Sequence, residues 1–193
     1  MHTTDRVSAG PVAALSAALG YGRPAAVDET PLPPFWHWLS FLAWPAPADL
    51  EADGHPRGGG LLPPIADRRR MWAGGRLSVL EPLLVGADAE RTVGVSAVRP
   101  ATGRTGELVF VTTRAELRQG GRLCVVDEVD TVYRSGSVSR AHPVPTDEPA
   151  PVSQSRWATT WRPDPVLLFR FSALTGSSHR IHYDDRYARQ VEG

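Results

Sequence analysis

The chain contains no lysine, a single cysteine and no long apolar run. Its 21 basic residues, all arginine, balance 21 acidic residues, so the formal net charge at pH 7 is zero. A chain without excess charge has no general attraction to nucleic acid or to an anionic membrane surface. The lone Cys124 excludes an internal disulfide and a cysteine-based zinc site. Its strand-like surroundings, RLCVVDEV, favour a small buried apolar residue over a nucleophile.

Targeting and membrane-spanning segments are also missing. The N-terminal stretch MHTTDRVSAG lacks the apolar core of a signal peptide. No window approaches the ~20 apolar residues that a spanning helix needs. We therefore expect a cytoplasmic protein with no membrane or nucleic-acid partner. Its 193 residues, 41% of them apolar, suffice for one large domain or for one domain plus part of a second.

The first part of the chain predicts one helix and an aromatic segment. Residues 8–20 begin at Ser8, a plausible N-cap, and end at Gly20, a residue that stops helices. The segment PLPPFWHWLSFLAWP lies between prolines, and its length fits either a short buried helix or a strand. Residues 45–70 are rich in proline, glycine and charge, which is typical of loops.

Four β-favouring runs follow: GGRLSVLEPLLVG, RTVGVSAVRP, ELVFVTTRAEL and RLCVVDEVDTVYR. The breaks between them are too short for crossover helices, so the strands should pair antiparallel. In the second run the alternation is partial: Val93, Val95 and Ala97 are predicted to share one face, with Thr92 and Ser96 on the other. We expect residues 72–134 to form an antiparallel sheet that curls around a helix drawn from residues 10–44.

The remainder predicts a linker and the start of a second unit. Residues 135–155 are rich in proline and serine and show no apolar period. The segment WATTW is compatible with a strand, and DDRYARQV is typical of a helix start. Between them, Asp164 and Pro165 form a strong helix beginning. That helix should run to Thr175 and stop at Gly176.

The densest group of proton-transfer side chains is SSHRIHYDD, at residues 177–185. His179 and His182 are three residues apart and could hold a metal with Asp184, although no third ligand is marked by a motif. Alternatively His182, oriented by Ser177, could exchange protons at neutral pH. On spacing alone, solvated polar residues at a domain edge are the simplest interpretation. The stretch HPRGGG lacks the ending of a phosphate-binding loop and is read as a surface loop.

Several segments of the chain, taken in their order, resemble a known protein family. DPVLLFRFSALTGSSHRIHYDDRYA resembles the start of the hydratase motif of MaoC-like enoyl-thioester hydratases, where a short helix ends in a polar turn before the catalytic histidine. The likeness is greatest to the subfamily with an N-terminal dehydratase domain, which includes mesaconyl-C4-CoA and itaconyl-CoA hydratases and mitochondrial hydroxyacyl-thioester dehydratases. PPFWHWLSFL and the stretch from RRMWAGG to TTRAEL also resemble the first half of that subfamily.

The resemblance implies an α+β double hot-dog architecture, in which each unit is an antiparallel sheet wrapped around a helix. Residues 1–134 would form the first hot-dog, residues 135–155 a linker, and residues 156–193 the start of a second, incomplete hot-dog. The implied activity adds or removes water at the 2,3-double bond of a short, branched or dicarboxylic enoyl-CoA. No cofactor or metal is implied, and the hot-dog units are expected to assemble into homo- or hetero-oligomers.

The resemblance also assigns residues. His182 would be the catalytic acid or base, and Ser177 falls on the position of its polar partner. His179, Arg180 and Tyr183 match flanking positions that shape the turn and contact substrate.

Two departures from the pattern matter. Gly176 and Ser177 stand where the subfamily has an aromatic residue and an asparagine, and a serine cannot present an amide's donor and acceptor together. The family's central helix, expected to supply oxyanion donors, would follow Gly193, so we expect the second unit to be truncated. The alternative function is therefore a non-catalytic remnant or partner subunit that binds acyl-CoA or a second hot-dog chain. A hot-dog thioesterase is a weaker alternative.

Overall fold

A five-stranded antiparallel sheet occupies the centre of the computed structural model, which describes residues 1–21, 27–57, 61–63, 65, 69–103, 106–134, 155–156 and 163–192. The strands are β1 (His2–Arg6), β2 (Arg69–Val79), β3 (Asp88–Gly103), β4 (Gly106–Gln119) and β5 (Arg122–Arg134). Their order across the sheet is β1-β3-β4-β5-β2. β3, β4 and β5 are consecutive along the chain and adjacent in the sheet, with a short turn between β4 and β5, while β1 and β2 form the two edges.

The two faces of the sheet differ in chemistry because side chains alternate along each strand. One face, here called the inner face, carries the core residues Leu117 and Val125, which are direct cross-strand neighbours. The opposite face carries a network of charged pairs, in which Arg76 bonds to both Glu128 and Asp130. Such a one-sided pattern requires an apolar cover on the inner face only.

Helix α1 (Ala9–Leu19) provides part of that cover. Val12 and Leu15 are buried in one cluster with Leu117 and Val125 of the sheet. Ser8 stands at the N-cap with extended backbone, and Gly20 ends the helix with a left-handed φ of 60°. Glycine adopts that conformation without the steric penalty that a Cβ brings.

The aromatic segment forms a short 3₁₀ helix, Trp36–Leu39, under the inner face. Buried His37 lies 3.1 Å from the carboxylate of Asp127 on β5, and the indole of Trp38 donates to the same oxygen at 2.9 Å. Burial raises the pKa of Asp127, but the hydrogen bonds from His37 and Trp38 outweigh it, so its pKa lies below the usual value. This pairing satisfies a carboxylate that would otherwise be costly to bury.

Helix α2 (Pro165–Leu174) packs beside α1. The side chain of Asp164 caps it by accepting from the N–H of Leu167 at 2.7 Å. A 3₁₀ turn at Arg180–His182 and a short helix, α3 (Asp185–Tyr187), follow, and α3 continues as a π-helical turn over Ala188–Glu192. No helix among the described residues has the length and apolar character that crossing a membrane requires.

Most of the predicted elements are confirmed: the antiparallel sheet, helix α1, helix α2 and a buried Cys124. Strand β1 was missed because its alternation is short and polar. The prediction for Ala97 was wrong, because a bulge at Ser96 pairs Ala97 with Thr112 and moves it off the face of Val95. The predicted linker lies almost entirely outside the described residues, as does WATTW. The division into a complete and an incomplete hot-dog stays a prediction.

Candidate active site

The candidate site is built on the turn that ends α2. Gly176 takes a left-handed φ of 63°, and the N–H of Ser177 returns to the carbonyl of Ser172 at 2.9 Å. The hydroxyl of Thr175 bonds to the carbonyl of Phe171 at 2.9 Å. These bonds satisfy carbonyls that a helix leaves free at its end. They direct the next residues, from Ser177 to His182, away from the helix axis.

A loop from the first part of the chain holds this turn. The hydroxyl of Ser178 donates to the carbonyl of Gly54 at 2.6 Å, and the N–H of Arg180 donates to the carbonyl of Asp53 at 2.8 Å. Gly54 has a φ of 90°, and a Cβ there would overlap the carbonyl of Ser178. Glycine is therefore required at this contact both by its conformation and by the closeness of the two backbones.

The contact brings three imidazoles together. The rings of His55 and His179 lie 3.9 Å apart between centroids at an angle of 35°, and His179 and His182 lie 5.4 Å apart nearly perpendicular. His55 is fixed by Asp53, whose carboxylate accepts from the backbone N–H of His55 at 2.9 Å and lies 2.9 Å from its Nδ1. The site is thus an Asp–His pair from one loop beside two histidines from another.

The electrostatics favour neutral imidazoles at this turn. Burial lowers the pKa of His179 to about 4, and the neighbouring His55 adds to that shift. Partial desolvation also lowers the pKa of His182, again with a contribution from His55. Burial raises the pKa of Asp53, but its hydrogen bonds from His55 lower it further than burial raises it. At neutral pH His179 and His182 are therefore uncharged, and each ring offers one donor and one acceptor nitrogen.

Two cavities meet at His182. The first has a volume of about 420 Å³ and is the more polar of the two, so it is called here the polar cavity. Its polar lining includes Ser177, His179, His182, His55 and Arg91, beside apolar residues such as Phe41 and Leu42. A second cavity, of about 610 Å³, is lined by His182 and largely by apolar side chains, namely Leu19, Leu167, Leu168, Phe171 and Ile181. Both volumes lie in the range of small-molecule sites. Trp38, Thr175, Ser177 and His182 border both cavities.

The other two predicted residues face elsewhere. The guanidinium of Arg180 bonds to the carboxylate of Asp184 at 2.8 Å and lies 4.1 Å from the centre of the Tyr187 ring. The hydroxyl of Tyr183 donates to the carbonyl of Ser178 at 3.2 Å. These contacts shape the turn, as the resemblance implies, while a direct role in binding substrate stays a prediction for both residues.

The grouping of possible metal ligands differs from the one considered from the sequence. Asp53, His55 and His179 bring one ligand atom each within 4.8 Å of one another. Asp184, in contrast, accepts from Arg180 and from the N–H of Tyr187. The resemblance implies no metal, and the hydrogen bond that Asp53 accepts from His55 already gives that carboxylate a structural role.

Sequence reasoning missed Asp53, His55, Trp38 and Arg91. Asp53 and His55 belong to ADGHPRGGG, whose composition indicates only a loop. The one local signal is Asp-Gly-His, because an aspartate two residues before a backbone N–H can close a tight turn. Arg91 lies in a strand pattern with alternating polarity, which gives no sign that its face is the inner one.

An antiparallel sheet that carries a helix on one face is the arrangement of the hot-dog fold. The solved structures agree on this fold. A MaoC-like dehydratase from Phytophthora capsici superimposes with a TM-score of 0.63 at 16% identity and covers 100% of this chain and 66% of its own. HtdX of Mycobacterium tuberculosis gives a TM-score of 0.57 at 16% identity, with 98% and 66% covered.

The hydroxyacyl-thioester dehydratase type 2 family matches residues 35–193, and the chain belongs to that family. Mesaconyl-C4-CoA hydratase of Chloroflexus aurantiacus is 41% identical over 189 residues, which are 98% of this chain and 67% of that protein. The mitochondrial hydroxyacyl-thioester dehydratase type 2 of Schizosaccharomyces pombe is 24% identical over 97% of this chain and 71% of its own length. The chain thus spans about two thirds of the length of the relatives that it matches.

Proposed function

We propose that this chain carries the proton-transfer and acyl-binding residues of a hydratase that adds water to, or removes it from, the 2,3-double bond of a short, branched or dicarboxylic enoyl-CoA. The observation that carries the proposal is the position of His182, a neutral imidazole at the junction of a polar and an apolar cavity. The 41% identity to a mesaconyl-C4-CoA hydratase supports this substrate class.

The geometry suggests a division of roles. The apolar cavity suits the alkyl part of the acyl group and the arm that carries the thioester, and the polar cavity suits a water molecule. In the hydration direction, the unprotonated ring nitrogen of His182 takes a proton from that water while the water oxygen bonds to C3. The imidazolium then returns a proton to C2, so that one water is added and the histidine is regenerated. Ser177, which borders both cavities, can hold the water by a hydrogen bond.

The negative charge that develops on the thioester oxygen requires hydrogen-bond donors aimed at it. We assign these donors to the remainder of the second hot-dog unit, of which residue 156 is the expected beginning. Helix α2 supports such an assembly, because Val166 is 64% exposed and Phe169 66% exposed. Large apolar side chains exposed side by side are typical of a surface that another polypeptide covers. We expect that cover to come from a further hot-dog unit, in the same chain or in another copy.

The test is a fusion that joins this chain to the third of the Chloroflexus enzyme that it does not match. The fusion should interconvert mesaconyl-C4-CoA and its hydrated product. Both compounds are quantified by chromatography and mass spectrometry. The 193-residue chain alone should bind acyl-CoA with little turnover. A fusion that folds and binds acyl-CoA but hydrates no enoyl-CoA would support the non-catalytic alternative and defeat the proposal.

A further inference from the structure

Arg91 occupies an unusual position for a charged residue. It lies on β3 between Thr3 of β1 and Leu117 of β4, with which it is paired in register. Directly opposed residues in an antiparallel sheet point to the same face. Because Leu117 is a buried core residue, the guanidinium of Arg91 extends over the inner face and not toward the charged network of the outer face.

The polar groups at this position are not satisfied within the described residues. The Nε of Arg91 is buried without a hydrogen-bond partner there, and the same holds for the hydroxyl of the adjacent Thr3. The guanidinium lies 4.9 Å from the centre of the Phe41 ring, a contact that leaves its N–H groups free. Burial lowers the pKa of Arg91, and the attraction of Asp5 only partly opposes that shift.

Asp5 does not neutralise Arg91 by a direct bond. Its carboxylate accepts from the backbone N–H of Phe41 at 2.6 Å, so one oxygen is already committed. Leaving a guanidinium N–H and a hydroxyl desolvated and unpaired is unfavourable for each group. Unpaired polar groups of this kind are typical of binding sites, where a bound ligand supplies the hydrogen-bond partners that the empty protein lacks.

Arg91 also lines the polar cavity that holds His182 and His179. With a volume of about 420 Å³, this cavity can hold the carboxylate end of an acyl group as well as a water molecule, and it reaches His182, the proposed catalytic residue. An anion bound by Arg91 would therefore lie on the acyl part of the substrate, near the atoms that react.

We propose that Arg91, with the hydroxyl of Thr3 beside it, binds the free carboxylate of a dicarboxylic acyl-CoA and selects that substrate over a neutral one. A guanidinium matches the two oxygens of a carboxylate, and such charge-assisted bonds are about twice as strong as neutral ones. A phosphate of coenzyme A could offer similar chemistry, but the pantetheine arm separates the phosphates from the acyl group. The inference rests on the proposed function for the class of substrate.

The test compares two acyl-CoA probes that differ in one carboxylate. Binding of succinyl-CoA and of butyryl-CoA to the full 193-residue chain is measured by calorimetry for the parent, Arg91→Gln and Arg91→Lys. The control is Arg99→Gln, because Arg99 lies on the same strand and also stacks on an aromatic ring, Phe110, at 5.3 Å. Thermal unfolding verifies that each variant is folded.

The Arg91→Gln change should weaken binding of succinyl-CoA by roughly 10- to 100-fold, which corresponds to the loss of a charge-assisted bond. Binding of butyryl-CoA should change less than about threefold, since a neutral acyl group makes no use of that bond. The Arg91→Lys variant should fall between, because lysine keeps the charge but not the planar fork. The Arg99→Gln control should bind both probes like the parent.

Equal losses for both probes would assign Arg91 to a phosphate of coenzyme A or to the stability of the fold. That result, or a parent chain that fails to bind succinyl-CoA, would overturn the inference. The outcome is separable from that of the hydratase assay. If succinyl-CoA binds more tightly than butyryl-CoA through Arg91 but the fusion hydrates no enoyl-CoA, the inference stands and only the proposed activity is defeated.

Discussion

Gly54→Ala tests whether the loop around Asp53 holds the candidate catalytic turn. The new Cβ would lie 2.7 Å from the carbonyl carbon of Ser178 and 3.2 Å from the Cα of His179, so the two backbones must separate. Separation breaks the bonds from Ser178 to Gly54 and from Arg180 to Asp53, which together contribute about 1–3 kcal/mol. The left-handed φ of 90° adds strain of roughly 1–2 kcal/mol.

The matched control is Gly120→Ala. Gly120 also has a left-handed φ, of 55°, but a Cβ there would meet nothing within 4 Å. This variant should therefore show the strain without the overlap. In thermal unfolding, Gly54→Ala should melt about 2–10 °C below Gly120→Ala, as a loss of 1–3 kcal/mol implies for a chain of this size. The NMR signals of the His179 ring should also shift in Gly54→Ala alone. Equal melting temperatures with unchanged His179 signals would refute the docking of loop and turn.

Three further outcomes are expected. His55→Ala should raise the pKa of both His179 and His182 in NMR titrations, because His55 lowers both values; unchanged values would show that burial alone sets them. Thermal stability should fall as the pH drops from 6.5 toward 4, because the pKa of His179 is lower in the folded chain than in the unfolded chain. His179→Gln should flatten this dependence of stability on pH, and an unaltered dependence would contradict the lowered pKa. Asp127→Leu should cost about 1–3 kcal/mol by denaturant unfolding, since it leaves buried His37 and the indole of Trp38 without their acceptor; a neutral effect would mean that these hydrogen bonds are dispensable.

The sequence predicts the local elements well because their signals are local. Asp164 before Pro165 marks the start of α2, and the glycine after each long helix marks its end. Short turns between β-favouring runs were enough to predict the antiparallel sheet. The bulge at Ser96 was not predictable, because it depends on how β3 and β4 pair and not on the residues of β3 alone.

Only part of the candidate site could be predicted from the sequence, for a similar reason. His179 and His182 stand close together in the sequence, so their chemistry could be read directly. Asp53 and His55 are more than 120 residues away and join them only through the backbone contacts of Ser178 and Arg180. Arg91 becomes notable only when the sheet assigns it to the inner face. Such long-range contacts leave no periodic trace in a single sequence.

The most direct test of the account is the effect of His182→Ala on turnover in the fusion with the unmatched third of the Chloroflexus enzyme. An imidazole that acts as general acid or base contributes typically ~10²–10⁴-fold to the rate. We therefore expect hydration of mesaconyl-C4-CoA to slow by about that factor while binding of the acyl-CoA changes little. The control is His2→Ala, because His2 lies on β1 and contacts the hydroxyl of Thr92 on the exposed face. A His182→Ala fusion as fast as its parent and as the His2→Ala control would contradict the assignment of His182.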